Sequence, residues 1–169
     1  DSLVRVAQAT GCRAFNALHG NRLPGVPVAD QDDAAVENLR YAADAVAVFG
    51  GTVLVEPLSG ASTYPLRTAA DVMAVLDRVD CPNVKLLADF YHLAVNGEDV
   101  EALIERHAAE FGHIQLADAP GRHEPGTGDL PLLRWVARAH ERGYHGPVAL
   151  EYVPSQDDPF AWLPRDRRA

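Results

Sequence analysis

Apolar residues along this chain follow two alternating rhythms: short, nearly continuous runs, and longer stretches in which they recur at the helical period. Leu3, Val4 and Ala7 share one helical face that gives way at Gly11. Arg13 to Leu18 predicts a short strand, and the loop Asn21 to Asp30, with its two prolines, is expected to lie over the strand ends. Asp32 and Asp33 then open a helix with negative charge at its positive end. Its apolar positions Val36, Leu39, Ala43 and Val46 run to Phe49, and Gly50-Gly51 stops it.

The same unit then repeats. A strand from Thr52 to Leu58 leads to a polar loop, and Thr68 caps a helix carrying Val72, Val75, Leu76 and Val79. Val84 to Ala88 reads as a strand buried on both faces, and Glu98-Asp99 start the helix of Val100, Leu103, Ile104 and Ala108. Ile114 to Ala117 precedes the loop Pro120 to Gly128, then the helix of Leu132, Leu133, Val136 and Ala139, which ends at Gly143. Val148 to Tyr152 is the last strand, and the tail 154–169 carries Phe160 to Leu163 as a docking turn over one end of the fold.

The last four strands each deliver an oxygen-bearing side chain as the apolar run ends: Glu56, Asp89, Gln115 and Glu151. They are separated by 33, 26 and 36 residues, each about one strand, one helix and two loops. Repetition at that spacing makes the strands parallel and gathers the side chains at their carboxyl ends, where a (β/α) barrel keeps its chemistry. A full eight-stranded barrel takes about 250 residues. The 169 residues here fit the carboxyl-terminal five of eight βα units of a TIM-type α/β barrel, one domain over 1–169. The chain opens without Met on what reads as the second half of a helix, so a piece of a longer protein is expected. The alternative, a flavodoxin-like open sheet, concentrates its ligands at one switch point.

Each candidate residue has a competing structural reading. A carboxylate locked by Pro57 is costly to bury without a partner. A salt-bridged rim glutamate would explain Glu56 alone, but less easily Glu56 and Glu151 in matching settings. Three carboxylates and an amide form a donor set for Mg²⁺ or Mn²⁺ rather than Zn²⁺; a buried structural glutamine is the competing reading of Gln115. His92 follows Asp89 where the strand gives way to loop, and is expected to touch substrate unless it merely caps or stacks locally. In the loop Pro-Gly-Arg-His-Glu-Pro-Gly-Thr-Gly, Arg122 and His123 could hold a substrate carboxylate, with arginine favoured for its fork geometry; a surface turn is the alternative. The loop lacks the Gly-Lys-Ser/Thr of a phosphate-binding P-loop.

Charge narrows the partners. Lys and Arg total 15 against 24 Asp and Glu, a net charge of −9, which argues against nucleic acid but not against a small anion held beside a metal. Cys12 and Cys81 fit two buried free thiols in a reducing cytoplasm, with one disulfide as the alternative. No run reaches the roughly 18 apolar residues of a membrane span, and no signal-peptide pattern opens the sequence. A cytoplasmic location with no membrane partner is the expectation.

Four motifs in order, Leu-Val-Glu-Pro-Leu, Ala-Asp-Phe-Tyr-His, Gly-His-Ile-Gln-Leu-Ala-Asp-Ala-Pro-Gly-Arg-His-Glu-Pro-Gly-Thr-Gly and Leu-Glu-Tyr-Val-Pro, resemble the hydroxypyruvate isomerase family of xylose-isomerase-like barrels. The resemblance runs from about Gly11 through Pro154. It implies that Glu56, Asp89, Gln115 and Glu151 hold a divalent metal, that the two glutamates exchange a substrate proton, and that His92 and Arg122 contact substrate. Related ketose 3-epimerases usually carry histidine at the position of Gln115, which favours the hydroxypyruvate branch. The implied reaction interconverts hydroxypyruvate and 2-hydroxy-3-oxopropanoate by enediolate proton transfer, with no nicotinamide. A 2-oxotetronate isomerase, a ketose 3-epimerase, an inosose dehydratase and an inactive truncated barrel are the rivals. The family's first three βα units have no counterpart in these residues. Such a barrel exposes sheet edges and residues such as Phe15 and Leu18, so association into a homo-oligomer is expected.

Overall fold

The computed structural model describes residues 2–168; Asp1 and Ala169, the ends of the expected domain, lie outside the described residues, as do the side chains of Ser2, Leu3 and Arg167. Five parallel strands stand side by side in chain order: β1 Ala14–Asn16, β2 Thr52–Val55, β3 Val84–Asp89, β4 Phe111–Leu116 and β5 Val148–Leu150. Helices α1 Ser2–Thr10, α2 Val28–Ala47, α3 Ala69–Val79, α4 Phe90–Val95, α5 Val100–His107 and α6 Leu132–Glu141 feed or follow them. The sheet curls into a half-barrel, part of a TIM barrel.

Register decides which side chains face the concave side. Asn16 pairs with Leu54, Leu54 with Lys85, Leu87 with His113, Asp89 with Gln115, and Gln115 with Ala149. Side chains alternate with period two, so Glu56 and Glu151, two residues beyond Leu54 and Ala149, share that face. Curvature crowds it: a Cβ at Gly112 would lie 2.5 Å from Leu54 Cδ2 and 2.7 Å from Lys85 Cβ. The opposite face, with Val53, Val55, Leu86, Ala88 and Ile114, packs against the helices around Val72, Leu103 and Ile104. Phe90 meets Trp135 edge to face at 5.7 Å.

Several boundaries differ from the sequence reading. Helix α2 starts at Val28, four residues before Asp32, because Pro27 takes the cap position with φ −55°. Asp32 instead pairs with Arg22 at 2.7 Å and His19 at 3.3 Å. The stretch after Asp89 is not loop but helix α4, too short to show a period, and His92 sits on it. Thr68 caps α3 as expected, with Asp71 completing a capping box. Phe15 is half-buried against Phe49, whereas Leu18 is exposed. Both cysteines are free but neither is fully buried: Cys81 is half-buried, and Cys12 is exposed because it lies in the link between α1 and β1. In the tail, Trp162 Nε1 donates to Tyr152 Oη at 3.3 Å and borders a cavity with Pro125 and Leu130. No described helix is long and apolar enough to cross a membrane.

Candidate active site

Near the carboxyl ends of neighbouring strands, three buried oxygen atoms have no hydrogen-bond partner. Glu56, immediately after β2, is 4 % exposed. Its Oε2 accepts from Asn16 Nδ2 at 2.6 Å, leaving Oε1 unpartnered. Asp89 ends β3 and caps α4: its Oδ1 accepts from the N–H groups of Tyr91 and His92 at 2.8 and 3.2 Å. That leaves its Oδ2 buried and unpartnered, as is Oε1 of Gln115 on the neighbouring strand. Glu151, just past β5, is more open, and its Oε2 accepts from Arg122 Nη2 at 2.6 Å. Ligand-type atoms of Glu56, Asp89, His92 and Glu151 all lie within 4.8 Å of one another.

Buried acceptors without donors are unfavourable by about 1–3 kcal/mol each, and three of them at the ends of neighbouring strands point to a shared explanation. Hard oxygen donors of this kind suit a divalent cation such as Mg²⁺ or Mn²⁺. The electrostatics agree. Burial raises the pKa of Glu56, with the charge of Glu151 adding to it, while Asn16 and Arg122 oppose. Burial likewise pushes Asp89 well above the carboxylate range against the N–H bond from His92, and Glu56 and Glu151 push it further. Positive charge at the centre would relieve that repulsion.

His92 belongs to this cluster by distance but not as a ligand. Its Nδ1 accepts from the Ser59 backbone N–H at 3.0 Å. A backbone N–H can only donate, so the neutral ring carries its proton on Nε2. That atom lies 4.0 Å from Glu56 Oε1 and 3.9 Å from Asp89 Oδ2. Burial, then Arg122, lower the ring's pKa to about 4 against the pull of Glu151, keeping it neutral near pH 7. His92 therefore presents an N–H donor to the site.

Arg122 reaches the cluster from the loop between β4 and α6. Besides bonding Glu151, its Nη2 lies 3.9 Å from Asp89 Oδ2, and its guanidinium sits 5.3 Å above the Tyr91 ring. The loop is tied inward by buried Asp118, which accepts from the N–H groups of Ala119, Gly126 and Leu130. A Cβ at Gly128 would lie 2.2 Å from the Ala119 carbonyl oxygen, so only glycine fits there. His123 turns away, its Nδ1 2.8 Å from the Val153 carbonyl oxygen.

A cavity of about 370 Å³ is lined by Asn16, Leu18, Glu56, Leu58, Ser59, His92, Arg122 and Glu151. Sequence reasoning missed Asn16, Ser59 and Tyr91. Asn16 carried the same signal as the four ligand candidates, a polar residue closing an apolar strand. Ser59 had none, because its contact with His92 spans 33 residues. Tyr64 was also missed: its hydroxyl donates to the Glu56 carbonyl at 2.9 Å and accepts from the His19 N–H at 3.2 Å.

Residues 1–168 match the xylose isomerase-like TIM barrel family model. A Streptomyces coelicolor protein provisionally named a hydroxypyruvate isomerase is 48% identical over 173 residues, which cover 96% of this chain and 62% of that protein. A 2-oxo-tetronate isomerase of Cupriavidus necator is 36% identical over 139 residues, 78% of this chain and 54% of its own. The crystal structure of an AP endonuclease, family 2, from Brucella melitensis superposes with a TM-score of 0.89 at 34% identity, covering 96% of this chain and 64% of that one. The chain thus spans less than two thirds of the length of these relatives.

Proposed function

The chain belongs to the xylose isomerase-like TIM barrel family, and we propose that it carries the active-site face of a metal-dependent isomerase interconverting hydroxypyruvate and 2-hydroxy-3-oxopropanoate. The observation that carries this reading is that ligand-type atoms of Glu56, Asp89 and Glu151 lie within 4.8 Å of one another, with the buried, unpartnered Oε1 of Gln115 on the strand paired beside Asp89. Glu56, Asp89, Gln115 and Glu151 would hold Mg²⁺ or Mn²⁺. Such an ion, when bound, polarises a carbonyl and its neighbouring hydroxyl, acidifying the C–H between them.

The chain's own residues then divide the work. Arg122 grips the substrate carboxylate through its planar fork. The Nε2–H of His92 donates to a substrate oxygen. One glutamate removes a proton from C3 and the other delivers one to C2, as general base and acid, while the proton of the C3 hydroxyl passes to the C2 oxygen, so that the C3 carbinol becomes the aldehyde and the C2 carbonyl the hydroxyl. Leu18 and Leu58 supply apolar wall. A net charge of −9 favours a small substrate over nucleic acid. The Cupriavidus necator relative supports a second reading, isomerisation of a 2-oxotetronate by the same groups.

The test uses the protein expressed from its natural reading frame, stripped with chelator and assayed for loss of hydroxypyruvate and of a 2-oxotetronate, with and without Mn²⁺ or Mg²⁺. Metal-dependent turnover of hydroxypyruvate supports the proposal, and turnover of the longer acid alone selects the second reading. Metal-independent turnover, or none of either acid, refutes the function.

A further inference from the structure

Arg122 has no helix or strand of its own to hold it. It lies in the loop between β4 and α6, with its backbone in the left-handed region at φ +59°. What braces it is the segment leaving β5. The Val153 N–H donates to the Arg122 carbonyl at 2.8 Å. One residue further, His123 Nδ1 meets the Val153 carbonyl. The strongest tie is the next residue. Glu124 is 1 % exposed. It accepts from the Ser155 N–H at 2.8 Å, the Ser155 hydroxyl at 2.7 Å and the Gln156 N–H at 3.3 Å. Burial works against its charge, but these donors win and hold the carboxyl down to about 2.

A surface turn needs no buried carboxylate, and burying one is costly unless donors surround it, as Ser155 and Gln156 do here. Glu124 joins two loops with different cargo. One carries Arg122, and the other continues directly from Glu151. Those two side chains meet at 2.6 Å across 29 residues of sequence. We propose that Glu124 is a positioning residue: its clasp on Ser155 and Gln156 sets Arg122 against Glu151 and fixes where the guanidinium meets a substrate carboxylate. The inference rests on the acid-substrate reading above.

The experiment uses the protein from its natural reading frame, loaded with Mn²⁺. Glu124→Gln keeps the shape but loses one acceptor oxygen, Ser155→Ala removes a single donor, and Arg122→Lys removes the fork. Glu124→Gln should raise KM for hydroxypyruvate about ten-fold while kcat stays within about three-fold, and Ser155→Ala should shift KM the same way by less. Combined with Arg122→Lys, Glu124→Gln should add little further, because both act through one contact. A purely structural role would instead lower the yield of active protein and leave KM alone. A second readout needs no turnover: tryptic cleavage of the Arg122–His123 bond in the native protein should speed up about ten-fold in Glu124→Gln. Unchanged KM in an active Glu124→Gln enzyme, full multiplicativity with Arg122→Lys, or unchanged cleavage would each overturn the proposal. If the wild type turns over neither acid, the functional reading fails and cleavage alone decides the clasp. If Glu124→Gln does not fold, Ser155→Ala is read by the same criteria.

Discussion

Replacing Gln115 by leucine separates a metal ligand from a structural glutamine, because the two roles predict opposite signs. The side chain lies on the concave face between Asp89 and Ala149, with its Oε1 buried and unpartnered. Leaving such an acceptor unsatisfied costs about 1–3 kcal/mol. A leucine of similar bulk removes that cost, so the chelator-treated variant should be more stable than wild type. At about 2–4 °C per kcal/mol for a domain of this size, Tm rises by roughly 2–12 °C. Metal acts in the opposite direction. A cation at 100 times its Kd stabilises the wild type by about 2.7 kcal/mol. Even outer-shell substitutions weaken metal sites by about 10–100-fold, and a 100-fold loss would cut the gain to about 0.4 kcal/mol. The assay is thermal unfolding of both proteins in EDTA and across a Mn²⁺ titration. A variant less stable than wild type in EDTA, or one that keeps the full metal-induced shift, would show that Gln115 serves packing and would remove it from the ligand set.

Three further outcomes are expected. Glu56→Gln and Glu151→Gln keep a ligand oxygen but lose the base, so kcat should fall by about 10²-fold or more in each; near-normal turnover with metal still bound would rule out the two-glutamate proton transfer. Glu124 has its pKa held down from the usual 4.5 to about 2, so its contribution to stability is present above pH 4.5 and lost as pH falls towards 2. The Tm gap between wild type and Glu124→Gln should therefore close across that window, and a gap that widens on acidification would contradict the bonding described. Residues 1–169 expressed alone should self-associate, because β1 and β5 each have one strand neighbour in the sheet; a monomer by sedimentation that unfolds cooperatively and is fully active would count against it.

Periodicity read the βα order correctly because each helix buries one stripe and each strand reads as an apolar run. It failed where local chemistry outweighs period. Pro27 starts α2 a full turn early, and the six residues of α4 are too few to display a stripe. Glu98, expected to open a helix, instead accepts from the Ala69 N–H at 2.9 Å, a bond across 29 residues that no local pattern announces. Capping was legible where donor and acceptor are neighbours, as at Thr68 and Asp99.

The same distinction runs through the site. Glu56, Asp89, Gln115 and Glu151 could be picked out because a parallel sheet repeats its geometry, and a polar side chain at each strand exit stands out against an apolar run. Their individual environments could not be. Asp89 divides its two oxygens between a helix cap and the open centre, and Asn16 leaves Glu56 one free oxygen in the same way. Ser59 fixes the tautomer of His92 and so makes it a donor rather than a ligand. Each of these neighbours is a commonplace residue in its own stretch of sequence, and each acquires its role only when a second strand or loop arrives beside it. Which polar side chains gather at the strand ends is therefore a one-dimensional property of this fold, while which atom of each is left without a partner is a three-dimensional one.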